Sequence, residues 1–212
     1  MLLDAYDSQL VLVDYQARLM PVIFENEMIV ANALRLARMA RSMEVPVWLT
    51  EQNPDRLGRN MPELIAAIEA LDNNNAGGGR TLAKMHFNAV EDGLVDWLRP
   101  PVRKPPQGGN ARSLPKHLQK PPEEPEGRNT LVIAGCEAHV CLMQTALGLL
   151  EEEFEVWVVT DACSSRSERN RDAAFDRLAG AGAELVTTEM VAFEWLRTAE
   201  HPLFKEMLAL IK

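Results

Sequence analysis

Three side chains far apart in the sequence, Asp14, Lys84 and Cys141, are of the types that nucleophilic acyl transfer needs. A thiol attacks a carbonyl carbon. A carboxylate takes and returns its proton, and an ammonium favours the charged forms that arise. Each follows an apolar, β-friendly run: Asp14 ends "LVLVD", Lys84 ends "TLAK", and Cys141 lies just past the strand of "LVIAGCEAHVCLMQTALGLL". That last stretch reads as a buried strand, a tight turn and the start of a helix near 139–152. A helix N-terminus presents free N–H groups and roughly half a positive charge. Such a setting is expected to favour thiolate over thiol at Cys141, and a nearby lysine adds to it. The N–H groups of the turn are also suited to bind an oxyanion.

Each residue has a plainer reading beside this one. Cys141 alone could be a small buried residue, since cysteine packs as one. Asp14 could cap a turn, and Lys84 could be a solvated strand-end lysine. Cys136, at a strand end, reads as core or wall, and Cys163 as packing or pocket rim. His139 invites a Cys–His dyad with Cys141, but residues i and i+2 do not face each other on a helix.

The elements that must position these groups alternate along the chain. Strand patterns fall at 10–13, 45–50 and 82–84, then in "NTLVIAG", "FEVWVVTDA" and "AELVTT". Helical patterns separate them; Asn88 and Ser167 are expected as N-caps. Six near-continuous apolar strands with intervening helices predict a three-layer α/β/α fold around a mostly parallel sheet. In the common order 3-2-1-4-5-6, strands one and four flank the switch point, where ligands sit at the carboxyl ends. Asp14 and Cys141 then face one crevice. "NNNAGGG" reads as a loop. Residues 99–128 contain eight prolines, which no regular helix survives. They read as a surface insertion in a single domain spanning 1–212, of a length that suits a lid.

Composition narrows the class. The chain has 212 residues, 47% apolar and 25% charged, as a globule with a full core does. Its net charge of −9 argues against a nucleic-acid partner, because phosphate affinity needs clustered Lys and Arg. No apolar run nears the ~18 residues of a membrane helix. Three cysteines, an odd number, argue against a disulfide framework and suit the cytoplasm. The histidines, His86, His117, His139 and His201, form no H-x-H or H-x-x-x-H pair, and no C-x-x-C occurs, so neither metal nor cofactor is expected.

Together, "LVLVDYQ", "WLTEQNP", "LAKMHFNA", "AGCEAHVCLMQTALGLL", "VTDACSSRS" and "TTEMVAFEWL" resemble the isochorismatase-like cysteine hydrolases over almost the whole chain. The resemblance implies Asp14 as general base and acid, Lys84 as charge stabiliser and Cys141 as nucleophile. It implies a cis peptide before Glu137 that turns the Glu137 N–H toward the same point as the Cys141 N–H, forming the oxyanion hole. It offers Gln16, Glu51, Gln52 and His139 as pocket residues. Nicotinamidases of this family carry a D-x-H-type metal motif after the second strand. Here that place reads "TEQNPDRLG", without histidine. Homo-oligomers are usual in the family, and Trp195, Leu196, Phe204 and Leu208 are candidates for the contact.

The reading that follows is a metal-independent cysteine hydrolase that opens a small amide or related C–N bond through a thioester. Two rivals stand beside it: a binding or assembly module on the same fold, and a reactive-thiol protein in redox chemistry.

Overall fold

Six short strands pair side by side into one parallel sheet, whose central strands are buried along their whole length. The computed structural model of the chain describes residues 1–69, 79–99 and 127–212. In chain order the elements are β1 Ser8–Val13, α1 Asn26–Ser42, β2 Val47–Gln52, α2 Pro54–Leu57, α3 Pro62–Glu69, β3 Arg80–Lys84 and α4 Leu94–Leu98. Then come β4 Thr130–Gly135, α5 Met143–Glu151, β5 Glu155–Val159, α6 Glu168–Gly180, β6 Glu184–Val186, α7 Thr188–Leu196 and α8 Phe204–Ile211. The sheet order is β3-β2-β1-β4-β5-β6, all pairs parallel, as the sequence predicts.

Every residue of β1, β2 and β4 is buried, which is why Leu10–Val13, Val47–Leu49 and Leu131–Ala134 run apolar rather than alternating. Helix α1 packs against α3, α7 and α8, whereas α5 packs against α6. Helices thus cover both faces of the sheet. Asn88 accepts from the N–H of Val90 and Ser167 from that of Asn170, so both expected caps are made.

The order reverses between β1 and β4, which lie in register with Val13 opposite Gly135. Both chains leave the sheet through unusual backbone. Asp14 takes φ +54, a left-handed conformation that Asp tolerates better than most residues. Gly135 takes φ +153, and a Cβ there would sit 2.2 Å from Val13 O. Only glycine lets the two strand ends approach this closely.

The loop expected at 73–79 falls largely at 70–78, and the Pro-rich stretch 99–128 largely at 100–126; both lie outside the described residues. The flanks of the second are held at the amino edge of the sheet. Arg99 donates to Glu152 O and stacks 3.6 Å over the Phe154 ring, and Arg128 donates to Ala5 O and Ser8 O. That edge is opposite the one where Asp14 and Lys84 emerge. Among the described residues no helix is long and apolar enough to cross a membrane.

Two expectations change. Strand β2 runs to Gln52, two residues beyond the expected end at 50. In addition, Trp195 and Leu196 are buried in the core, at 3% and 2% exposure, and do not offer the surface expected of them. The exposed apolar side chains of α7 are Met190 and Phe193.

Candidate active site

Strand register brings the candidate residues together. Gln52 pairs with Lys84 across β2 and β3, and Asp14 follows Val13, which pairs with Thr50 of β2. Lys84 Nζ lies 2.8 Å from Asp14 Oδ2, and both side chains are wholly buried. Thr50 donates its hydroxyl proton to Asp14 Oδ1 at 2.6 Å. Lys84 Nζ also donates to Gln52 Oε1 at 2.7 Å and, more loosely at 3.4 Å, to the carbonyls of His86 and Phe87. The Cys141 thiol reaches the same Gln52 Oε1 at 3.9 Å. The Asp14 charge disfavours the thiolate and the Lys84 charge favours it, so both groups act on the sulfur. Asp14, Lys84 and Cys141 therefore meet at the carboxyl edge of the sheet, at the switch point. Cys141 keeps 6% exposure while Asp14 and Lys84 are at 0% and 1%, so Cys141 is the residue of the three most open to solvent.

The turn that carries Cys141 is tied down at both sides. Cys136 N donates to Val13 O, and Ala138 N donates to Ser164 O at 2.7 Å. The Cys136–Glu137 peptide bond is cis. Glu137 Oε2 accepts from Arg166 Nε at 2.8 Å and from its backbone N–H at 3.1 Å. Residues Ala138–Leu142 form a π turn ahead of α5, so Cys141 sits in that turn and not in the first turn of an α-helix. Single π turns of this kind are frequent at functional sites.

The thiol is not a resting thiolate. Burial, then the Asp14 charge, push the Cys141 pKa up to about 12, and Lys84 only partly opposes them. The sequence expectation of a lowered value fails because desolvation of the sulfur outweighs the one cation beside it. Cys136, fully buried, is likewise pushed up to about 12, and Cys163 is raised by burial too. All three cysteines are free.

Of the expected pocket residues, only Gln52 bonds to the central groups, and it reaches two of them, Lys84 and Cys141. Gln16 is fully buried and clamps backbone. It donates to the carbonyls of Gln52 and Gly58 and accepts from the Gln52 N–H. Glu51, on the opposite face of β2, accepts from the Asn60 N–H at 2.8 Å and holds that loop. His139 turns its ring to Ser165 Oγ at 2.9 Å and to Asn170 at 3.4 Å. Thr50 was not expected, although its signal was present. Two residues before Gln52 on one strand, it must share that residue's face. Among the described residues no group of three or more His, Cys, Asp or Glu is arranged to hold a metal ion.

Comparisons with known proteins bear on the fold. The family model "Isochorismatase domain" matches residues 8–190. "Isochorismatase domain-containing protein 2" of Rattus norvegicus is 34% identical over 205 residues, covering 97% of this chain and 81% of the relative. The MAR1 ribonuclease of Caenorhabditis elegans superposes with a TM-score of 0.79 at 29% identity, covering 100% of this chain and 92% of that one. The YcaC gene product of Escherichia coli, described as an octameric hydrolase of unknown specificity, superposes with a TM-score of 0.77 at 29% identity, covering 99% and 88%.

Proposed function

The chain belongs to the isochorismatase family, and on that premise we propose that it is a cysteine hydrolase that needs no metal and opens a small amide or related C–N bond. The supporting observation is the convergence of a thiol, a buried carboxylate and a buried ammonium on one point. In this reading Asp14 takes the Cys141 proton as the sulfur attacks the carbonyl carbon. The N–H groups of Glu137 and Cys141 receive the resulting oxyanion. Protonated Asp14 then gives its proton to the departing nitrogen, the C–N bond breaks, and a thioester remains on Cys141. Water adds to the thioester with Asp14 again as base, and release of the acid restores the thiol. Lys84 supplies the positive charge that stabilises the negative charge developing in the site.

The same reading treats 1–212 as one hydrolase domain, with 99–128 inserted in it, acting as a homo-oligomer. The octameric state described for the E. coli relative supports assembly.

A panel of small amides and carbamoyl compounds, with mass spectrometry of the trapped enzyme, tests the chemistry. We expect an acyl adduct on Cys141 and none in Cys141→Ala. Full turnover in that variant would end the reading. An inert Cys141 in the native protein favours a binding module, and peroxide-driven oxidation without acyl transfer favours thiol chemistry. The ribonuclease designation of the C. elegans relative calls for an RNA-cleavage assay beside these. A chain with a net charge of −9 is a poor RNA partner, so we expect no cleavage.

A further inference from the structure

The side-chain oxygen of Gln52 serves two donors at once, Lys84 Nζ at 2.7 Å and Cys141 Sγ at 3.9 Å. Its Nε2 donates to Met85 O at 2.8 Å, which fixes the way the amide faces. Gln16 takes both of its backbone groups, so the residue is held at every polar atom. Lys84 in turn directs its hydrogen bonds to Gln52 Oε1 and to the carbonyls of His86 and Phe87.

This has a consequence for the carboxylate. Asp14 Oδ2 lies 2.8 Å from the ammonium, yet among the described residues it accepts no aligned hydrogen bond. Its partner Oδ1 is occupied by Thr50. A buried carboxylate oxygen that has an ion-pair partner but no aligned donor is uncommon, because buried acceptors are ordinarily hydrogen-bonded. Here the open oxygen belongs to the group that must take the thiol proton.

We infer that Gln52 is a positioning residue: it draws the Lys84 ammonium out of line with Asp14 Oδ2 and so keeps that oxygen open for the proton of Cys141. The inference rests on the acyl-transfer reading above. Without the Gln52 oxygen, the Lys84 ammonium closes onto Oδ2 in an aligned, charge-assisted hydrogen bond, and the base is occupied.

Labelling of Cys141 by iodoacetamide, followed by peptide mass across a range of pH, tests this without a known substrate. In Gln52→Leu, which keeps the volume and removes the oxygen, labelling at neutral pH slows about tenfold or more, as loss of a charged hydrogen-bond partner implies. Gln52→Glu still offers Lys84 an oxygen but sets a second carboxylate beside the sulfur. Its labelling profile moves to higher pH by about one unit or more. Profiles in both variants that overlay the native one, with at most a lower melting temperature, make Gln52 structural only and overturn the inference. Should Gln52→Leu not fold, Gln52→Met, which also removes the oxygen, decides in its place by the same slowed or unchanged labelling. A native protein whose Cys141 is not labelled overturns the acyl-transfer reading and this inference together. Native labelling with unmoved variants overturns this inference alone.

Discussion

Lys84 and Asp14 form an ion pair 2.8 Å apart with neither side chain exposed. Two desolvated charges are a weak source of stability, yet removing one partner strands the other. Lys84→Met is therefore expected to destabilise the fold by about 3–5 kcal/mol. The double variant Asp14→Asn with Lys84→Met recovers most of that loss. Guanidinium unfolding midpoints measure both. Equal midpoints for the single and double variants would mean that Asp14 is not charged in the native site.

Thr50 holds the other oxygen of the same carboxylate. Thr50→Val keeps the shape and deletes the donor, so a buried acceptor loses its partner at a cost of roughly 1–3 kcal/mol. Labelling of Cys141 should slow as well, since Asp14 loses one of its two anchors. A variant of native stability and native labelling rate would show that Asp14 is positioned by Lys84 alone.

The approach of β1 to β4 depends on Gly135. A Cβ there meets Val13 O at 2.2 Å, and backbone cannot swing aside as a side chain does. Gly135→Ala is expected to lower stability by about 3 kcal/mol or more, at the upper end of overpacking costs. Gly180→Ala is the control, because nothing lies within 4 Å of its added carbon. Urea midpoints that match for the two variants would contradict the close approach.

Alkaline pH should unfold this protein early. Cys136 and Cys141 have native values of about 12 against 9.0 for an unburied thiol, in each case chiefly because burial disfavours the thiolate. Groups raised on folding bind protons more tightly in the native state. Their contribution is complete below about 9 and is lost as pH rises toward 12. Tyr15, also raised by burial, adds in the same direction. Calorimetry from pH 8 upward should show a falling melting temperature, with a shallower fall in Cys136→Ala. A flat profile would mean that these groups are hydrated in the folded state.

Much of the fold was legible because its signals are local. Apolar runs of strand length, each followed by a helical period, imply a parallel sheet whatever the rest of the chain does, and Asn88 and Ser167 cap their segments through neighbours two or three residues away. Asp14, Lys84 and Cys141 were legible for the same reason, since each stands at or just past the end of its own strand. The turn of "AGCEAHVC" could be read as a turn but not as a π turn, because the one extra residue that separates the Leu142 N–H from Glu137 O leaves no mark in the apolar spacing.

What the amino-acid sequence determined by itself is thus the order of elements, the residue types at strand ends, and membership of one hydrolase family. Tertiary structure alone decided what those residues are to one another. That Gln52 stands between Lys84 and Cys141 while Glu51 turns away depends on where β2 ends and on its register with β3, which separate segments settle by packing. That Cys141 rests as a thiol depends on how much of its surface three elements cover and on which charges they bring beside it. Burial and register are sums over contacts between distant parts of the chain, and no local pattern carries them.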